Sequence, residues 1–269
     1  MRNWIPGAIA TCRFELFRSF SLHRLGVMAV LMLFPPGILW LLLVGAANRM
    51  AGAEIIKYVL FVMIFLVALV TLLSLLLWAT PVVAGELEGK TWSFIAMRPG
   101  GRIANFLGKF LTSALVSFSI AFVALTLCTL IANASGTLGN EQAAWGKWAK
   151  LCAIFSIASV AYSAVLSAIG TLFIKRAMVV GAAFLLAWEG MLSLVPAVVS
   201  RLTMSYHLRR LGEIWLGWFL PDSKIEYELL FGKPGPVWMH ISAISLVALI
   251  GLLVGLFVIV NRQYISGEE

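Results

Sequence analysis

The chain has 269 residues, 61% of them hydrophobic and 12% charged, with a mean hydropathy of +0.98. Charged residues make up about a quarter of an ordinary soluble domain, so this composition excludes one and describes an all-α membrane protein, a single domain over 1–269. The net charge of +8 fits lysines and arginines gathered at membrane ends to set topology and meet anionic lipid, and no nucleic-acid partner is expected.

Residues 1–24 contain an amphipathic helix over 3–20. Ile5, Ile9, Cys12, Leu16 and Phe20 share one helical face, and Thr11, Glu15 and Arg18 fall on or near the other. Such a helix lies in the headgroup plane, and Arg2, Arg13, Arg18 and Arg24 hold this end in the cytoplasm. No apolar core precedes a small-residue cleavage site, so no cleaved leader is expected.

A helix needs about 20 apolar residues to cross a bilayer, and six runs qualify: 25–46, 57–83, 106–132, 148–173, 177–199 and 237–260. Pro35 and Pro36 are expected to kink the first. A short outer loop carries Asn48, Arg49, Glu54 and Lys57. The second run is long enough to tilt, with Trp78 and Pro81 at its inner end. The third exits near Asn133, and Asn133-Ala134-Ser135 reads as a chance glycosylation sequon. In the fourth, Ser159, Ser163 and Ser167 line up at helical spacing, either a close-packing ridge or a polar stripe along a translocation path. Lys175 and Arg176 form a tight inner turn. The fifth holds Glu189 near its middle, and a mid-bilayer charge costs roughly 2.5–3.5 kcal/mol on insertion scales and normally carries a role. Residues 200–236 predict a short outer amphipathic helix, Leu208, Leu211, Trp215, Trp218 and Phe219 opposing Arg209, Arg210 and Glu213. Gly251 and Gly255 form a close-packing pair in the last run.

The most informative stretch is the polar island 84–109 between the second and third runs. Ala84, Gly89, Lys90 and Thr91 satisfy a loose phosphate-loop pattern. That loop requires a buried strand before it and a helix N-terminus after it, whereas here a membrane-length run precedes it and Glu86 and Glu88 occupy the place of phosphate. The island reads instead as a short amphipathic helix across the mouth of two spans. Glu86 and Lys90 form a favourable helical pair of about 0.2–0.5 kcal/mol, and Leu87, Thr91, Phe94 and Ile95 give an apolar face. Pro99, Gly100 and Gly101 end it, bracketed by Arg98 and Arg102.

An acidic residue, Gly-x-Thr, a stretch of about seven residues, Pro, a basic residue and then Gly-Lys resembles the cytoplasmic coupling segment of ABC-2 type transporter permeases. The residues that carry the resemblance are Glu86, Glu88, Gly89, Thr91, Pro99, Arg102, Gly108 and Lys109, and Arg13, Glu15, Leu16 and Arg18 resemble the family's amphipathic N-terminal helix. The resemblance covers essentially the whole chain. It implies a permease subunit in a bacterial or archaeal inner membrane, paired with itself or a paralogue. Separate ABC ATPase subunits would bind ATP and magnesium, and this chain would hold no cofactor of its own. Within the coupling segment, 84–102, it implies polar contacts to the ATPase from Glu86, Glu88, Arg98 and Arg102, packing by Leu87, Thr91 and Phe94, and a backbone shape set by Gly89, Pro99 and Gly100. The expected cargo is hydrophobic or amphipathic, moved outward. Eleven of the 20 lysines and arginines fall on the inner side when both termini are cytoplasmic, and five of the other nine belong to the long outer connection.

No residue set supports catalysis by the chain itself. There is no Walker-B carboxylate in context, and no convergent Ser/His, paired Asp or metal-ligand set within the runs. Cys12, Cys128 and Cys152 are too scattered for a metal site or disulfide framework, and His23, His207 and His240 have no ligand spacing. Rival readings are an ion-coupled carrier or channel using Glu189 and a non-transporting membrane anchor for an ATPase.

Overall fold

The computed structural model describes residues 4–46, 53–136, 141–194, 198–217 and 235–264. Every element among them is helical. In chain order they are α1 (Ile5–Ser19), α2 (Leu22–Ala46), α3 (Ala53–Ala79), α4 (Ala84–Glu88), α5 (Trp92–Met97), α6 (Gly101–Ala134), α7 (Glu141–Leu172), α8 (Ala177–Ala183), α9 (Met204–Leu216) and α10 (Val237–Asn261). Five of these, α2, α3, α6, α7 and α10, are long and apolar enough to cross a membrane. The chain is thus an all-α protein of the multi-pass membrane class.

The fifth expected run, 177–199, is not one α-helix. After α8 the backbone widens into a π-helical turn over Phe184–Met191, then tightens into 3-10 turns at Leu192–Leu194 and Val198–Leu202. Widened turns of this kind release backbone groups that other parts of the chain must satisfy, and Glu189 sits inside this one. Asn48, Arg49, Trp218 and Phe219 lie outside the described residues, as does the rest of 218–234.

α6 is the hub: α1, α2, α3 and α7 all pack on it, and α10 leans on α7. Small residues set the close approaches. A Cβ at Gly251 would meet the Val165 backbone at 3.2 Å, and one at Gly255 would run into the Phe106 ring, so this glycine pair seats α10 on α7 and α6 as its spacing predicts. Ser159, Ser163 and Ser167 are fully buried, and Ser163 donates to the Phe110 carbonyl at 3.0 Å and touches Ser113 across the α6–α7 seam. The row therefore lies in a closed helix contact.

α1 also lies on α6, through its small and polar face. Ala8, Glu15 and Ser19 are buried, while Ile5, Ile9, Phe14, Phe17 and Phe20 are all more than half exposed. The reason is steric: α1 approaches α6 so closely at Gly108 that a Cβ there would sit 2.6 Å from the Thr11 Cβ. Only small side chains fit that seam, and the bulky ones turn outward to where an interfacial helix meets lipid.

Candidate functional site

The polar island folds as two short helices with a break. Lys90 takes a left-handed backbone, φ 54°, which stops α4, and the Thr91 hydroxyl turns back to donate to the Glu86 carboxylate. Gly100, at φ 73°, then lets the chain reverse into α6.

This break overturns the expected Glu86–Lys90 helical pair. Lys90 is exposed, whereas Glu86 is buried and its carboxylate lies 2.6 Å from Lys109 Nζ on α6. Lys109 also donates to the Val82 carbonyl at 3.1 Å and stands 3.8 Å from Glu15 on α1, which in turn is 3.7 Å from Arg18. One ammonium thus joins three segments: α1 through Glu15, the turn after α3 through Val82, and α4 through Glu86. Burial raises the Glu86 pKa, but the Lys109 ammonium and the Thr91 hydroxyl outweigh it and hold the group below its ordinary value.

The second tie runs to the far helices. Trp92 on α5 is buried and meets the Tyr264 ring edge-on, centroids 5.0 Å apart. Tyr264 donates to the Thr171 carbonyl at 3.2 Å and Arg262 to the Leu172 carbonyl at 2.7 Å, both at the end of α7. Arg102 donates to the Val260 carbonyl at 3.1 Å, near the end of α10. The segment α4–α5 therefore holds α6 through Glu86 and, through Trp92, the Tyr264 ring just past α10, which in turn bonds the end of α7.

Its other side is free. Glu88, Phe94, Met97, Arg98 and Pro99 are exposed, Phe94 to 69% and Met97 to 80%. Phe94, expected on the packed face, is thus on the outer one, because Trp92 fills the inner position. Gly89 lies in the break and is exposed with Thr91. Of the N-terminal residues, Glu15 is inside the cluster, Arg18 is at its rim, and Arg13 faces outward above the Phe17 ring at 5.8 Å.

Glu189 is far from this segment. Its carboxylate accepts from the Tyr162 hydroxyl at 2.8 Å and from the backbone N–H groups of Met204 and Ser205 at 3.2 and 2.8 Å. Those N–H groups open α9, so the acid caps a helix start inside the bundle. α9 itself departs from expectation on its polar side, since Arg210 and Glu213 are buried and joined at 2.6 Å, with Arg210 above the Tyr206 ring. His207 Nε2 donates to the Arg201 carbonyl at 2.8 Å, which leaves Nδ1 of the neutral ring to accept from His240 Nδ1–H at 2.9 Å. Burial pushes the His207 pKa down, against that carbonyl bond.

Trp92 and Tyr264 were not singled out, and Lys109 was named only for the resemblance, with no role at the site. Lys109 carried a usable signal, a cation within an apolar run, which demands a buried partner; Trp92 and Tyr264 carried none, since their contact joins distant parts of the chain. Among the described residues no cluster of three or more metal-ligating side chains occurs. No protein-family model matches the chain, and no curated protein is similar to it.

Proposed function

We propose that the chain is the membrane-spanning permease subunit of an ATP-driven exporter, acting as a pair of permease chains with separate ABC ATPase subunits. The observation that carries this reading is α5: Phe94 and Met97 stand exposed on a short helix at the polar end of the bundle, flanked by Glu88 and Arg98. Exposed apolar side chains with charged neighbours favour a protein partner. The inner side of the same segment bonds α6 through Glu86, follows α3 by a short turn, and reaches the ends of α10 and α7 through Trp92 and Tyr264, so a push on it would be passed to those spans. That is the requirement of a lever between a nucleotide-driven closure and rigid-body alternating access. In this reading the segment and both termini face the cytosol, and the broken stretch 177–202 completes a sixth crossing.

In this reading Glu88 and Arg98 keep their expected docking role and are joined by the exposed Phe94 and Met97, whereas Glu86 and Arg102, which bond to the chain's own helices, leave it. The ion-coupled alternative through Glu189 is weaker, because that carboxylate is engaged by three donors and caps a helix. The test is to purify the chain from its native membrane and measure ATPase activity that co-purifies with it. Phe94→Ser with Met97→Ser is expected to remove most of that activity while leaving the melting temperature of the chain unchanged. Unchanged co-purification, or ATP binding by the isolated chain, overturns the reading.

A further inference from the structure

At the elbow where α1 turns into α2, an open cavity of about 240 Å³ lies between α1, α2, α3 and α6. Four of its lining side chains are basic, Arg18, His23, Arg24 and Lys109, against one acid, Glu15. Lys109 is already held by Glu86 and the Val82 carbonyl. The two arginines are not so engaged: Arg18 is 3.7 Å from Glu15, too long for a hydrogen bond, and half exposed, and Arg24 is in no ion pair among the described residues. The α2 side adds the first turn of a long helix, whose N–H groups have no acceptor within the helix. The rest of the lining includes the apolar Val27, Leu77 and Trp78, and the Trp78 indole donates to Ser19 at 3.2 Å, which fixes α1 across the opening.

Planar guanidinium donors match phosphate oxygens in pairs, and basic pockets between membrane helices are suited to acidic headgroups. Apolar lining beside those donors suits a phosphate whose ester tails lie in hydrocarbon. We propose that this cavity holds a phosphate-bearing anion, with Arg18 and Arg24 as its ligands. The headgroup of an acidic phospholipid and soluble phosphate are its two sources. Because Glu15 and Lys109 form one side of the cavity, an anion there would pin the α1–α2 elbow against α6. The inference rests on the chain crossing a bilayer and not on its coupling to an ATPase.

The experiment uses the full chain in nanodiscs of phosphatidylcholine alone, of phosphatidylcholine with phosphatidylglycerol, and of phosphatidylcholine with inorganic phosphate added to the buffer. Phosphatidylglycerol is expected to raise the melting temperature by about 3 °C or more, and Arg18→Gln with Arg24→Gln to abolish that shift. Melting of the double variant in phosphatidylcholine alone reports whether it folds, and Arg24→Gln by itself, which touches no ion pair, serves if it does not. A shift from inorganic phosphate that the variant loses keeps the anion site and assigns it a soluble source. Three results overturn the proposal: no shift from either source, a full shift in the variant, or an equal loss on Arg13→Gln, whose side chain faces outward and senses only general attraction to an anionic surface.

Discussion

Two buried carboxylates, Glu86 and Glu189, are satisfied in different ways. Glu86 meets a full countercharge, Lys109, contributed by another helix and shared with a third. Glu189 meets no cation among its hydrogen-bond partners; a phenol and two backbone N–H groups at the start of α9 hold it. The first arrangement couples separate segments through one atom, so moving any of them changes the energy of the others. The second belongs to one local construction, where an acid offsets the unsatisfied donors of a helix start, and it stiffens that region. The difference suits the α4–α5 end to relay motion and the Glu189 region to resist it.

The largest effect is expected from removing the shared cation. Lys109→Met leaves Glu86 buried without its ion-pair partner and Glu15 with Arg18 alone, at a cost of about 3–5 kcal/mol, read as a lowered melting temperature in detergent. Adding Glu15→Gln and Glu86→Gln restores much of it if the cluster is the cause; no recovery breaks the idea of one ammonium serving two acids.

A smaller effect is expected at the other acid. Glu189→Ala strips the Met204 and Ser205 N–H groups of their acceptor, about 1–3 kcal/mol, and Tyr162→Phe costs about 1–2 kcal/mol by deleting the bonds to Glu189 and Ser205. If proton-driven flux is measured with the chain in liposomes, Glu189→Gln is expected to leave it unchanged. A lost proton dependence would instead restore the carrier reading.

The smallest effects are those of pH, and they separate the two regions. His207 has a folded pKa below its ordinary 6.5, so the unfolded chain binds the proton more readily and stability falls as pH drops from 6.5 through the folded value. Glu86, held below 4.5, contributes stability that is complete above 4.5 and is lost as pH falls through its folded value. Melting followed from neutral pH downward is expected to show two declines, and His207→Gln to flatten the upper one alone. A single decline that this substitution leaves intact would dissociate His207 from the effect.

Much of the architecture was legible because hydrophobic length is a local property. Five apolar runs became membrane-length helices, and the polar island, its stop at Pro99 and Gly100, and the glycine pair of α10 were visible in spacing alone. The broken fifth run was not read, although Pro196 stands within it, since 177–199 is otherwise apolar but for Glu189 and Ser193 and composition does not record which backbone groups a neighbour will satisfy. The partner of α1 was not legible for a related reason. Helical periodicity identifies a bulky face and a small polar one, but in a membrane the bulky face has lipid as an alternative to protein, and the small face is the one that fits against Gly108.

By itself the sequence determined the class of protein, the approximate crossings and the position of the polar island, because burial in hydrocarbon depends on the composition of each stretch. Only the tertiary structure decided the partners: that Glu86 pairs with Lys109 and not Lys90, that Trp92 and not Phe94 faces inward, and that Glu189 caps α9. Charges and rings choose partners by distance, and residues far apart in the chain come within reach only once helices pack.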